Sequence, residues 1–406
     1  MQNGGMASAE SSVQIGNWKR LDGIDLLRGL AIFFVLMNHV NIRLLGAGVL
    51  YTKFVPAQLV HFLVWNGQLG VQIFFVVSGF LITSITLRRW GQLSNVNLRS
   101  FYLFRLARIA PLLLLLLVIL TGLHFANVPR FIVQAKTGGI GRAVLAALTF
   151  HVNVLEARHG YLPANWDVLW SLSVEEMFYL FFPLACRVFG RSKLFILMLV
   201  TFVALGAPGR TLFAHGNEIW SEYCYLGGME GIALGCLTAI VVSRIRFSRS
   251  TLLALNISGT TVVVLSLIFS WQAYTGWLGK TGLNFTLLGL STAMFIAGTS
   301  QVQWKSPRFL IPLLRIGQYS YEVYLTHMFV VFALFTLFLD LGKPMGLVSV
   351  LFATAILFAA FLGAAVAQLY SEPMNRYLRR RWQSTRGGTL PHLETAPVTV
   401  SESSST

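Results

Sequence analysis

Residues 24–45 read IDLLRGLAIFFVLMNHVNIRLL, an apolar run long enough to cross a bilayer that nevertheless carries Asp25, Arg28 and His39. An α-helix turns about 100° per residue, so the step from Arg28 to His39 returns to within about 20° of the same face, about 16 Å further along the axis. One stripe of this helix is therefore polar. Ionisable side chains at hydrocarbon depth cost several kcal/mol, and they turn toward a bundle interior or a watery cavity, where they mark a functional path. Asp25 and Arg28, at i,i+3 near headgroup level, have a structural reading as an ion pair. His39 lies too deep for that reading and is the first candidate functional residue.

The rest of the chain has the same character. It is 55% hydrophobic and 11% charged over 406 residues, with mean hydropathy +0.67, whereas a soluble globule carries about a quarter of its residues charged. The sequence predicts an all-α polytopic bundle of about ten spans, near 24–45, 69–87, 102–124, 168–189, 193–209, 223–243, 251–270, 282–299, 311–338 and 346–370, each of the length that a membrane helix requires. One membrane domain, 21–380, follows, with no soluble catalytic unit left over. The first run is too long for a signal-peptide core and is expected to stay as an anchor. The polar ends, 1–20 and 381–406, cannot bury enough apolar surface to order themselves and are expected to be flexible cytoplasmic tails.

Charge sets the expected orientation. With both tails inside, only Arg43, Lys53, Arg130, Lys136, Arg142, Arg158, Arg210, Lys280 and Lys343 of the 31 Lys and Arg residues fall outside, which the positive-inside rule favours. The same topology accounts for the net charge of +16 without a nucleic-acid partner, for which no basic patch on a foldable soluble unit exists. Cys186, Cys224 and Cys236 are odd in number and lack metal-ligand spacing, so they read as packing residues and no metal site is expected. The longest outward segment, about 125–167, contains Ala143 to Leu155 (AVLAALTFHVNVL), too short to span and a candidate re-entrant or interfacial helix. It continues through Arg158, Tyr161, Asn165, Trp166 and Asp167, which fit either the aromatic belt or a surface on which a sugar stacks.

Depth brings distant residues together. At 1.5 Å per residue, His39 sits roughly 9 Å, Glu175 roughly 11 Å and His327 roughly 16 Å below the outer ends of their spans, so two histidines and a carboxylate are expected to converge in the outer half of the membrane. A second set, Arg28, Arg88, Arg105 and Arg108, gathers on the cytoplasmic side. Arginine forks suit phosphate groups, although snorkelling alone explains Arg88. An anionic donor held by these arginines, with its reactive end near an imidazole that can take a proton from a hydroxyl, fits acyl-coenzyme A.

The motifs then point to a family. LDGIDLLRGLAIFFVLMNHV, GVQIFFVVSGFLIT at 70–83, FRLARIAP at 104–111, LWSLSVEEMFYLFFPL at 169–184 and YSYEVYLTHMFVV at 319–331, in that order, resemble the acyltransferase family 3 of membrane O-acyltransferases from about Leu21 to Arg380. The resemblance implies that His39 is the catalytic histidine and that Arg28 goes with it. It implies that Arg105 and Arg108 serve the acyl donor, and that Glu175 and His327 belong to the site. Trp170 and Ser173 of the tryptophan motif and Tyr324 of the last motif are the expected acceptor-side or supporting residues. It further implies acyl-CoA, with acetyl expected, as donor substrate rather than a resident cofactor. The expected acceptor is a carbohydrate or glycolipid of the envelope, and the expected location is a bacterial inner membrane. A single-domain member is expected, without the extra extracytoplasmic domain that some members carry after the membrane region, and this leaves the acceptor open. Two other readings stand beside this one at the level of sequence: acylation of a glycosylated secondary metabolite such as a macrolide-type antibiotic, and a proton-coupled transporter, although the halves of an internal repeat are not evident. Ser78, in VVSGFLI, reads as a small residue for close helix packing rather than a nucleophile.

Overall fold

A computed structural model describes residues 21–302 and 304–384. The tails at 1–20 and 385–406 lie outside the described residues. Among the described residues there is helix and no strand, and ten helices are long and apolar enough to cross a membrane. A spanning backbone has no water to bond to, so helix is the form in which each segment satisfies itself. The ten are α1 Asp22–Gly46, α2 Gly67–Trp90, α3 Leu98–Phe125, α4 Leu169–Phe189, α5 Lys193–Arg210, α6 Tyr225–Arg244, α7 Arg249–Ile268, α8 Leu283–Ser300, α9 Ser320–Asp340 and α10 Val348–Val366.

Burial separates the centre from the rim. In the apolar windows of α1, α2, α4 and α6, 67–72% of residues are buried, against 22% in α7 and 33% in α5. The central helices are also those in which glycine replaces a side chain at the crossing. A Cβ on Gly79 of α2 would collide with the carbonyl of Ile232 on α6, and one on Gly235 of α6 with the carbonyl of Val76 on α2. Small residues at matched positions let these two backbones touch. Asn97 caps α3 by accepting the Ser100 N–H at 2.9 Å, and Ser248 caps α7 by accepting that of Thr251 at 3.1 Å.

Three expected spans differ in detail. The span expected at 311–338 is two helices, Ile311–Gln318 and α9, broken at Tyr319. The first of these packs on α1, where Gly29 and Gly317 each face the other helix's backbone too closely for a Cβ. The second span is preceded by a separate helix, Ala57–Val64. Beyond α10 a π-turn at Ala367–Ser371 leads into Glu372–Ser384, so residues 381–384 continue a helix rather than begin a tail. The half-apolar stretch at 143–155 falls in two short helices, Gly139–Leu148 and Val152–His159, parted at Phe150, whose φ is 58°. All three cysteines are buried and free.

Candidate functional site

Two cavities enter the bundle from opposite ends and meet at a thin partition. The first, of about 1090 Å³, is lined by the C-terminal half of α1, the first turns of α2 and α4, the loop before α4, and α9. The second, of about 270 Å³, is lined by the N-terminal half of α1, by α2 and α3, by the next two turns of α4, and by the start of α9. Val71 and Tyr324 line both. The Tyr324 hydroxyl is fixed in the partition by Ser171 Oγ at 2.6 Å and by donation to the Val168 carbonyl at 3.2 Å.

His39 lines the first cavity, its ring centroid 5.1 Å from that of His327. His327 is fully buried and its Nδ1 lies 2.6 Å from the Tyr324 carbonyl. A carbonyl only accepts, so Nδ1 carries the proton and Nε2 is the lone-pair nitrogen. That Nε2 has no hydrogen-bond partner among the described residues. The two imidazoles thus meet as expected. Around them the wall carries aromatic faces and charge of both signs. Trp170 stacks on Tyr223 at 4.0 Å with the planes 6° apart, and Tyr161 meets Tyr223 edge-on at 5.9 Å. Tyr223 donates to Asp167 at 3.3 Å. Arg43 lies over the Phe332 ring at 4.8 Å, Arg130 donates to Thr336 at 2.7 Å, and Lys343 to the Ala47 carbonyl at 2.9 Å.

The loop that brings Tyr161 and Asp167 here is held from behind. Glu156, on the short helix before it, is fully buried and accepts the Leu162 N–H at 2.9 Å. Burial pushes its carboxyl well above the usual range, and the neighbouring Asp167 pushes in the same direction. Asn165 donates to the Leu325 carbonyl at 2.7 Å, tying the loop to α9 beside His327. Ser173 accepts from the Val152 N–H at 3.2 Å and donates to the Leu169 carbonyl at 2.9 Å, so it braces the loop and does not line either cavity.

The second cavity holds Arg28, Arg105, Arg108 and Glu175. The Arg105 guanidinium lies 3.5 Å over the Tyr179 ring, Tyr179 donates to Glu175 at 3.2 Å, and Ser78 Oγ hydrogen-bonds the same tyrosine hydroxyl. Ser78 therefore belongs to this polar wall, while its neighbour Gly79 makes the close helix crossing. Arg108 pairs with buried Glu322 at 3.2 Å, and Asp25 with Arg28 at 3.8 Å, the ion pair that their spacing suggests. Arg88 does not line the cavity. Glu175 lines this second cavity and not the one holding His39, so the three-residue convergence reduces to the two histidines. Glu175 stands five residues beyond Trp170, about 140° round the helix, and so faces the other chamber.

Two comparisons bear on this arrangement. The family model described as an acyltransferase domain matches residues 21–369. The chain belongs to acyltransferase family 3. Within the family, it is 27% identical over 331 residues to an O-acetyltransferase OatA of Staphylococcus aureus, covering 76% of this chain and 50% of that protein. It is 28% identical over 342 residues to a peptidoglycan O-acetyltransferase OatA of Listeria monocytogenes, covering 80% and 51%. The chain thus spans about half the length of these curated relatives. No solved structure matches it. Its ten apolar helices and bacterial relatives make this family 3 chain a multi-pass bacterial membrane protein.

Of the residues at or against the first cavity, motif reading singled out His39, His327, Trp170 and Tyr324, and it flagged Tyr161 and Asp167. It missed Tyr223, Glu222, Arg43, Arg130 and Lys343. All five stand at or beyond helix ends, where an aromatic or a charge has the same appearance as a membrane anchor.

Proposed function

We propose that the chain is a membrane O-acyltransferase that moves an acyl group, acetyl in the first instance, from acyl-CoA to a hydroxyl of a carbohydrate. The observation that carries the reading is the pair of cavities from opposite ends, one lined by Arg28, Arg105 and Arg108 and the other by His39 and aromatic faces, with Tyr324 and Val71 lining both. The donor's phosphates lie with Arg28, Arg105 and Arg108, and its pantetheine arm carries the thioester toward the partition. In the other cavity, neutral His39 takes the proton of the acceptor hydroxyl as the oxygen bonds to the thioester carbonyl. The carbon–sulfur bond breaks and the proton passes from imidazolium to the leaving coenzyme A thiolate. His327 packs against the His39 ring and limits its orientations. Glu175 acts from the donor side, holding Tyr179 and balancing Arg105.

The wall chemistry supports a sugar acceptor. Flat rings present apolar faces to C–H bonds while Asp167, Glu222 and the three cations bond hydroxyls. The names of the relatives, O-acetyltransferase and peptidoglycan O-acetyltransferase, agree with acetyl and with a glycan. With donor phosphates expected on the positive-inside face, both described helical ends, at Asp22 and Ser384, lie toward the cytoplasm.

The test incubates membranes holding this protein with labelled acetyl-CoA and an envelope glycan extract, beside His39→Ala. Label in polysaccharide or lipid-linked sugar falls by a factor of about 10²–10⁴ in the variant, the usual share of a general base. Equal labelling removes His39 as the base, and no labelling by either protein, with donor binding also absent, favours a transporter.

A further inference from the structure

Beside the first cavity lies a chamber of about 780 Å³ that no step of the transfer uses. Its walls include Leu265 and Phe269 at the end of α7, Trp271 and Leu278 just beyond, and Phe285 and Leu287 of α8. His61 stacks on Trp271 at 4.5 Å with the planes 19° apart. Trp65, Gln68 and Glu222 line both this chamber and the cavity of His39, so the two share a wall. Among the described residues no lysine or arginine lines the chamber. It is not wholly apolar, because Ser266 Oγ, Ser270 Oγ, Asn66 Oδ1 and Asn284 Oδ1 are buried there without a hydrogen-bond partner among the described residues.

We propose that this chamber holds the hydrocarbon chain of a membrane-anchored acceptor whose sugar, joined to the chain without a phosphate, reaches the cavity of His39. The inference rests on the acyltransferase reading and narrows its acceptor to a glycolipid with an uncharged linkage. Helix α7 is the least buried span, so its chamber adjoins the hydrocarbon core from which a chain arrives. At the shared wall the ionisable group is the Glu222 carboxylate, and the cations of the cavity, Arg43, Arg130 and Lys343, come from α1 and from the loops after α3 and α9. A phosphodiester at the junction would find a carboxyl and no lysine or arginine among the described residues that line both cavities, so its charge would lie in the wall without a counterion. A sugar hydroxyl there meets Gln68, and the open oxygens of Ser270 and Asn284 line the chamber beside it.

The experiment uses the protein in lipid nanodiscs with a dodecyl β-glucoside bearing a diazirine at its chain end, and maps crosslinks by mass spectrometry. Crosslinks concentrate in residues 262–278 and are displaced by unlabelled alkyl glucosides, with displacement tightening from octyl to dodecyl by up to about fourfold per methylene. Leu265→Trp and, independently, Ser266→Phe fill the chamber and cut the crosslink at least fivefold. Glucose joined to the same chain through a phosphate competes at least tenfold more weakly. Crosslinks spread over the lipid-facing helices, indifferent to competitor and to both variants, overturn the chamber assignment. Equal competition by the phosphate-linked compound overturns the uncharged linkage. The crosslink requires no acyl transfer, so its presence beside a protein that never labels a glycan counts against the acyltransferase reading alone.

Discussion

At the residue scale, the donor site proposed above rests on how Arg105 is held. Its guanidinium lies over the Tyr179 ring, 3.5 Å from the centroid, a contact that limits how the fork can turn. Arg105→Lys keeps the charge but loses stacking and the two-pronged geometry. The donor KM is expected to rise about tenfold, equivalent to about 1.4 kcal/mol, while the acceptor KM stays put. A change confined to the acceptor would remove Arg105 from the donor site. Arg108 is a poorer probe, because its removal strands buried Glu322 and costs stability as well as binding. Glu156 gives a second test. Burial pushes its carboxyl well above the ordinary range, so over an interval of pH above that range the folded state keeps a proton that the unfolded chain has released. Stability from this group is full at low pH and is lost as pH rises through its raised folded value. Thermal unfolding followed from pH 5 to 9 should show that decline in the native protein, and a flatter profile in Glu156→Gln, which retains an acceptor for Leu162. Identical profiles would contradict the buried neutral carboxyl. His39 was legible in sequence because an imidazole at hydrocarbon depth has few structural explanations. Glu175 was legible as a site residue but not as to which chamber, since depth follows from counting and azimuth from the packing of neighbours.

At the element scale, the contact of α2 with α6 governs whether the two cavities stay aligned. Val71 and Ser78 on α2 both line the second cavity, and the helix is positioned by Gly79 against the Ile232 carbonyl. Gly79→Leu cannot be absorbed by a side-chain rotation, because the obstacle is backbone. Overpacking of a close crossing costs about 1–3 kcal/mol, so the melting temperature in detergent should fall and both donor and acceptor constants should worsen together. Gly91→Ala, at a helix end with open space around its Cβ but a φ of 72°, should cost less. A smaller loss at Gly79 than at Gly91 would contradict the crossing as the critical contact. The existence of the spans was plain from hydropathy, whereas the break at Tyr319 was not. Gly317, Gln318 and Tyr319 carry no strong stop signal, and the break falls just after Gly317, where the chain packs backbone to backbone on α1.

At the scale of the whole molecule, reaction across the partition requires the two ligands to arrive from opposite faces of the membrane. Charge alone gave the expected orientation, because the lysines and arginines cluster at alternate ends of spans whose number is even. The structure adds that the arginine-lined cavity opens at the end of α1 that carries Asp22, and the histidine cavity at the end that carries Gly46. Sidedness is measurable, since acetyl-CoA and charged maleimides do not cross a sealed bilayer. The three native cysteines are buried, so single cysteines at exposed Arg142 and Arg246 report the two faces. In inverted vesicles Arg246→Cys should be labelled and added acetyl-CoA should be consumed. In right-side-out vesicles Arg142→Cys should be labelled and added acetyl-CoA should be left intact until detergent opens the membrane. Donor consumption on the face where Arg142→Cys reacts would reverse the assignment of the two cavities. It would place the arginines with the acceptor and make the positive-inside pattern their whole explanation.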